Sequence, residues 1–237
     1  LRLDVVLLGC FESVIVQSVL YMGANLVPVG TNSRSRAAFV DRLRRQPRRC
    51  SSFVGPADEV LDLWRLLEPA WGPARDVRAR QPVMVLADEP SGERDDRVRL
   101  STASDLEVLM PACIDMFTSE VGVSPVAGGL EHTYRLRIAE IIHQQRSFCV
   151  IEDEQVIFKA EIGAVGNGVC QIQGVWIAPA YRGRGLAAPC LASVVAMSRA
   201  SIAPIVSLYV NDFNTAARKA YVRTGFTQVG EFATILF

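Results

Sequence analysis

Two arginines and two glycines alternate in Arg182-Gly183-Arg184-Gly185, between an apolar run that ends at Pro179 and a helical pattern over residues 186–199. A strand that passes through a glycine turn into a helix gathers several unpaired backbone N–H groups at one point. The helix dipole adds its positive end there, which makes a phosphate site. Glycine lets the backbone close on the anion, and Arg182 and Arg184 add charge. The turn is not a P-loop, since no Gly-Lys-Ser/Thr follows, and it lacks the Gly-x-Gly-x-x-Gly of a dinucleotide fold.

A second stretch, residues 206–226, pairs a short β run with a helix that starts at Asn214 and closes at Gly225. Asn214 stands as N-cap. Asn214, Ala217 and Tyr221 fall at i, i+3 and i+7, so they share one helix face. A phenol is protonated at neutral pH and can donate a proton or a hydrogen bond from that face.

Together the two stretches resemble the GNAT acetyltransferase superfamily. Arg182-x-x-Gly185-x-Ala187 is similar to its acyl-CoA pyrophosphate loop, Arg/Gln-x-x-Gly-x-Gly/Ala. Asn214, Ala217, Tyr221, Gly225 and Phe226 match its Asn-x-x-Ala-x-x-x-Tyr-x-x-x-Gly-Phe pattern. The resemblance spans residues 97–237 and implies acetyl-CoA as co-substrate, no metal, and direct attack of a primary amine on the thioester. It assigns the pyrophosphate to Arg182, Gly183, Arg184, Gly185, Leu186 and Ala187. It assigns the pantetheine arm to the main chain of Val175, Trp176 and Ile177, where their strand splays from the one starting near Pro204, with Asn214 as a further contact. Tyr221 becomes the acid for the departing thiolate.

The base departs from the pattern. Some members carry a glutamate four residues before the first pantetheine contact, and Gln171 stands there and cannot accept a proton. Glu161 on the neighbouring strand is the substitute. It is equally placed for a salt bridge with Lys159, two residues away on the same face. Glu120 and Gln171 are expected on the acceptor side.

Composition narrows the partners. Lys+Arg and Asp+Glu are both 25, so the chain has no excess positive charge for neutralising nucleic-acid phosphates. That also weighs against an aminoacyl transferase with a tRNA-binding face. Among the cations only Lys159 and Lys219 are lysines, which suggests a GC-rich, bacterial genome. The basic run from Arg42 to Arg49 reads as a solvated helix end. Six scattered cysteines without Cys-x-x-Cys read as small buried hydrophobes in a reducing, cytoplasmic setting, and two histidines give little support for a zinc site. No run is long enough for a membrane span. The apolar start around Val5 does not read as a signal peptide, and the opening Leu1 is expected of a trimmed or missing N-terminus.

The order strand-helix-strand-helix-strand over residues 24–87 repeats that of the second half. Val27, Pro28 and Val29 stand where Val175, Trp176 and Ile177 stand, and Ala57, Val60 and Trp64 keep the spacing of Asn214, Ala217 and Tyr221. Thr31 to Arg36 lacks the glycines, Ala57 replaces the asparagine and Trp64 the tyrosine. The expected fold class is therefore α/β (α+β): a GNAT fold on a mixed, mostly antiparallel sheet, preceded by a smaller degenerate lobe. Residues 1–92 form that non-catalytic lobe, residues 88–96 the linker and residues 97–237 the catalytic domain, an arrangement similar to bacterial tandem GNAT proteins. Strands are expected at 97–100, 147–152, 155–163 and 169–178, helices to about Phe117 and over 131–144, and a long loop over 118–129. The function expected is an acetyl-CoA-dependent N-acetyltransferase, with a non-catalytic acyl-CoA-binding regulatory module as the alternative. A homodimer is left open, and neither nucleic acid nor membrane is expected as a partner.

Overall fold

A computed structural model of the chain describes residues 6–12 and 15–237. The opening Leu1 and Val5 lie outside the described residues. The chain forms two compact units that interleave in sequence: one holds the described residues up to Val83, with Tyr209–Asn214 and Gln228–Phe237, and the other holds Met84–Leu208 and Thr215–Thr227.

The first unit is built on β1 (Val6–Glu12), β2 (Ile15–Met22), β3 (Asn25–Val29), α1 (Ser33–Leu43), β4 (Ser52–Pro56), α2 (Ala57–Trp71), β5 (Asp76–Leu86) and the last strand, β11 (Thr227–Leu236). The strands lie in the order β1-β2-β3-β4-β11-β5. The hairpin β1–β2 is not among the expected elements. Leu20 joins the core and Leu8, Cys10 and Met22 pack against it, while Leu7, Phe11 and Ile15 are more than 60% exposed. From β3 to β5 the expected strand-helix order is present. Helix α2 continues beyond Leu67 through Pro69 to Trp71. Proline inside a helix removes a hydrogen bond, and packing holds this last turn: Trp71 meets Phe53 and Phe237 edge-on at 5.6 and 6.0 Å. The closing run forms β11, antiparallel to β4 with Ile235 opposite Phe53, and both side chains are fully buried.

The second unit contains β6 (Arg99–Leu100), α3 (Leu106–Val121), α4 (Glu131–His143), β7 (Ser147–Glu152), β8 (Gln155–Gly166), β9 (Val169–Ile177), α5 (Ala187–Ser201), β10 (Ile205–Tyr209) and α6 (Thr215–Thr224). Its strand order is β10-β9-β8-β7-β6. All neighbours are antiparallel except β9 and β10, so the α+β, mixed and mostly antiparallel sheet is observed. Two-residue turns close both hairpins: Asp153 and Glu154 at φ 47° and 59°, Asn167 and Gly168 at φ 49° and 73°. Thr102 and Asp105 form a capping box ahead of α3. This helix runs to Val121 rather than about Phe117. Gly122 ends it at φ 80°, its N–H donating to Thr118 O at 2.9 Å. Glu120 therefore sits on a helix, not in a long loop.

Among the described residues no helix is long and apolar enough to cross a membrane. All six cysteines are free and five are buried. Burial pushes the Cys50 and Cys113 thiols up to about 11 and that of Cys190 to about 12, from an ordinary 9.0. A folded pKa above the unfolded one means stability that is fully present below pH 9 and lost as pH rises through the folded values. The denaturation midpoint should therefore fall between about pH 8 and about pH 10.5. A midpoint that holds steady over that range would show that these thiols leave the interior as easily as they ionise.

Candidate functional site

Strand β9 carries the site. On one side it pairs with β8, with Lys159 opposite Trp176 and Glu161 opposite Gln173. Ala160 alone thus faces Gly174 and Val175, which is a β-bulge. On the other side the parallel pairing with β10 covers only Val169–Gln171 against Ile205–Ser207. The strands part after Gln171, which leaves one edge of Gly174, Val175, Trp176 and Ile177 without a β10 neighbour.

The bulge rests on a buried ion pair. Lys159 Nζ donates to Glu161 Oε1 at 2.5 Å and to Gly174 O at 3.3 Å. Lys159 is 0% and Glu161 5% exposed. Burial works against the lysine's charge, but Glu161 more than offsets it and the ammonium is held above its ordinary range. Cys113 on α3 approaches the same carboxylate oxygen at 3.9 Å. Of the two roles open to Glu161 in the sequence, the salt bridge with Lys159 is the one seen.

Beyond β9 the chain turns at residues 182–186 into α5. Gly183 and Gly185 adopt φ 75° and 81°, and nothing lies within 4 Å of where a Cβ would stand on either. Arg182 Nε donates to Ile177 O at 2.9 Å, tying the turn to the end of β9. Arg184 lies over the Tyr181 ring, 5.1 Å from its centroid. Leu186 precedes the helix, no side chain caps it, and its first turn holds no acid. An α-helix start in that state presents unpaired N–H groups and a positive dipole end to an anion.

The corresponding turn in the first unit is closed. Thr31 N–H and Oγ1 donate to Glu59 Oε2 at 2.8 and 2.6 Å. Asn32 and Ser35 form a reciprocal capping box on α1. A carboxylate of the protein's own already occupies the donors that an external anion would need.

Tyr221 projects from α6 and is 7% exposed. Its ring meets Phe226 edge-on at 6.0 Å. Burial first, and then the charge of Glu120 on α3, push the phenol above its usual range. Thr224, one turn on, donates to Ala188 O at 3.5 Å and so ties α6 to the first turn of α5. Trp176 Nε1 donates to Asp115 Oδ2 at 2.9 Å, which holds an exposed carboxylate of α3 beside β9. Gln171 lies in the part of β9 still paired on both sides, opposite Ser207 and Ala164. Asn214 belongs to the first unit and directly precedes α6, its N–H donating to Asn211 O at 2.9 Å.

The structure thus joins Glu161, Val175, Trp176 and Ile177 at one bulged strand, with Arg182 tied to its end. It brings Glu120 to Tyr221, and it leaves Gln171 upstream, paired on both sides beside a second register shift at Gly163. Sequence reasoning missed Asp115, which no spacing singles out. It also missed the contact of Lys159 with Gly174, although a lysine inside an apolar strand was a signal.

The model of the Acetyltransferase (GNAT) family matches residues 115–226, and that of a Domain of unknown function (DUF4081) matches residues 6–109. None of the curated proteins matches the chain. Among solved structures, a GCN5-related N-acetyltransferase from Kribbella flavida is 15% identical with a TM-score of 0.61, covering 99% of this chain and 89% of its own. An acetyltransferase of the GNAT family from Colwellia psychrerythraea is 12% identical with a TM-score of 0.60, covering 98% and 85%. One from Novosphingobium aromaticivorans is 18% identical with a TM-score of 0.55, covering 89% and 82%. At these identities the likeness is one of fold.

Proposed function

Because residues 115–226 belong to the Acetyltransferase (GNAT) family, we propose that the protein transfers the acetyl group of acetyl-CoA to a primary amine, with residues 97–237 as the catalytic domain and residues 1–92 as a non-catalytic lobe. The observation that carries this reading is the combination of a bulged strand with one free edge and an uncapped helix start that follows it through Gly183 and Gly185. The residues present fit the coenzyme, since the glycine turn is open above both positions and no acid stands at the start of α5.

Acetyl-CoA supplies the activated acyl group and a thiolate leaving group. In this reading residues 182–187 take the pyrophosphate and the main chain of Val175, Trp176 and Ile177 takes the pantetheine arm. Tyr221 meets the departing thiolate. A phenol raised by burial and by Glu120 stays protonated through the physiological range. It acts as a hydrogen-bond donor to developing negative charge more than as a strong acid. Glu161, engaged by Lys159, keeps that lysine charged. Asp115, exposed and fixed by Trp176, is the carboxylate left to take the amine's proton. Glu120 and Asp115 would favour a cationic acceptor.

One observation favours a second reading, a non-catalytic acyl-CoA-binding regulatory module. Gln171 stands where a base is expected, and the Glu161 carboxylate is already paired. Thiol release from acetyl-CoA over a panel of amines separates the two, since binding without turnover on any amine would favour the module.

Three outcomes are expected. Gly185→Val should abolish acetyl-CoA binding while the fold is kept, because the position is open and its positive φ suits glycine. Unchanged affinity in calorimetry would remove the turn from the site. Titration should give one coenzyme per chain, since Glu59 fills the matching turn of the first unit, and two equivalent sites would contradict that. Tyr221→Phe should lower turnover by about a hundredfold with coenzyme affinity little changed, because the lost bond matters as charge develops. Full turnover in that variant from about pH 6 to about pH 9 would reduce Tyr221 to a packing residue.

A further inference from the structure

The ammonium of Lys159 has a second partner that charge balance does not require. Its Nζ reaches both Glu161 Oε1 at 2.5 Å and the carbonyl of Gly174 at 3.3 Å. Gly174 is one of the two residues that face Ala160 alone, so it stands in the bulge where the ladder with β8 is interrupted. A half-buried carbonyl in that position is best held by a donor, and the lysine supplies one. The space is built for this contact. Gly174 sits at φ 59°, and a Cβ there would come within 3.2 Å of Lys159 Nζ and of Met116 Cε, and within 3.5 Å of Glu161 Cδ.

Stability alone does not explain the pair. Desolvating two charges costs as much as their attraction returns, and apolar residues of similar volume often serve as well. What an apolar pair cannot do is hold the extra residue at one place. A bulge that slips by one position turns the following side chains to the opposite face. Here the main chain is held at Gly174 by Lys159, and two residues on the Trp176 side chain is held by its bond from Nε1 to Asp115 at 2.9 Å.

Resting on the acyl-transfer reading above, we infer that Lys159 and Glu161 are positioning residues: they lock the Gly174 bulge so that the main chain of Val175 and Trp176 distinguishes acetylated coenzyme from free CoA. Glu161 keeps the lysine charged in a buried site, and the lysine holds the carbonyl. Neither needs to touch the reacting atoms.

The double variant Lys159→Met/Glu161→Leu tests this, with wild type and Glu161→Gln beside it. The double variant should melt at or above the wild-type temperature. Its affinity for free CoA, which the turn at residues 182–187 dominates, should stay within about twofold of wild type, whereas the preference for acetyl-CoA over CoA should fall by about fivefold or more. Amide exchange across residues 170–178 of the ligand-free protein should quicken. Glu161→Gln, which leaves the lysine its bond to Gly174, should keep most of the preference. A folded double variant with the wild-type preference would overturn the inference while leaving the acyl-transfer reading intact. So would a wild type that binds both forms equally. A double variant that does not fold would overturn it too, since the pair would then be a requirement of folding. Wild type that binds neither form would remove the acyl-transfer reading and this inference with it.

Discussion

A half-buried strand that parts from its neighbour leaves main-chain donors and acceptors that still need partners. In the second unit that constraint falls on β9. Its parallel ladder with β10 ends at Gln171, and its antiparallel ladder with β8 is interrupted at Gly174 and Val175. Surrounding residues meet the demand one group at a time: Lys159 takes the Gly174 carbonyl, and Arg182 takes that of Ile177. Glu161 is then required by Lys159, since an isolated ammonium at 0% exposure would shed its proton. The free edge that remains follows from these repairs. Without them the strand would close onto β10 or lose its register.

Anion binding at a helix start depends less on the dipole than on whether the protein has already used the donors. The two units make the contrast within one chain. Ahead of α1, Thr31 gives its N–H and hydroxyl to Glu59, and Asn32 and Ser35 cap each other. Ahead of α5 no side chain caps the helix, and the turn is held open by Gly183 and Gly185 at positive φ. Thr31 and Asn32 favour caps and turns through their own oxygens, whereas glycine offers only backbone. One substitution pattern therefore decides both the shape of the turn and whether an outside anion finds it vacant.

What the sequence revealed divides along the same line. The glycine turn and the Asn214 to Phe226 stretch were legible, because each depends on residue types at short spacing. The bulge at Gly174 was not, since the glycine is one of several in the region and its partner Lys159 lies fifteen residues away across a ladder. The end of α3 was misread because Thr118, Ser119 and Val121 are weak helix formers; the cap at Gly122 outweighs them. The hairpin β1–β2 escaped notice because apolar residues stand on both its faces, with Leu20 in the core and Leu7, Phe11 and Ile15 exposed, so no alternation marks it. Nothing in the run Phe232 to Phe237 says which strands it joins. Its place beside β4 follows from the aromatic contacts of Phe237 with Phe53 and Trp64 at 5.3 and 5.4 Å.

Tyr221 shows how the same burial sets the limits of the chemistry. A thiol is ordinarily a stronger acid than a phenol, so full proton transfer from tyrosine to a thiolate is uphill even in water. Burial and Glu120 raise the phenol further, which widens that gap. A donor so placed stabilises negative charge by holding its proton close without surrendering it, and it cannot lose that proton to bulk solvent at neutral pH. In the proposed reaction the proton that the thiolate finally keeps would then come from the incoming amine or from water. That would shift the burden of proton handling in the reaction to the acceptor side, where Asp115 and Glu120 are exposed carboxylates of α3.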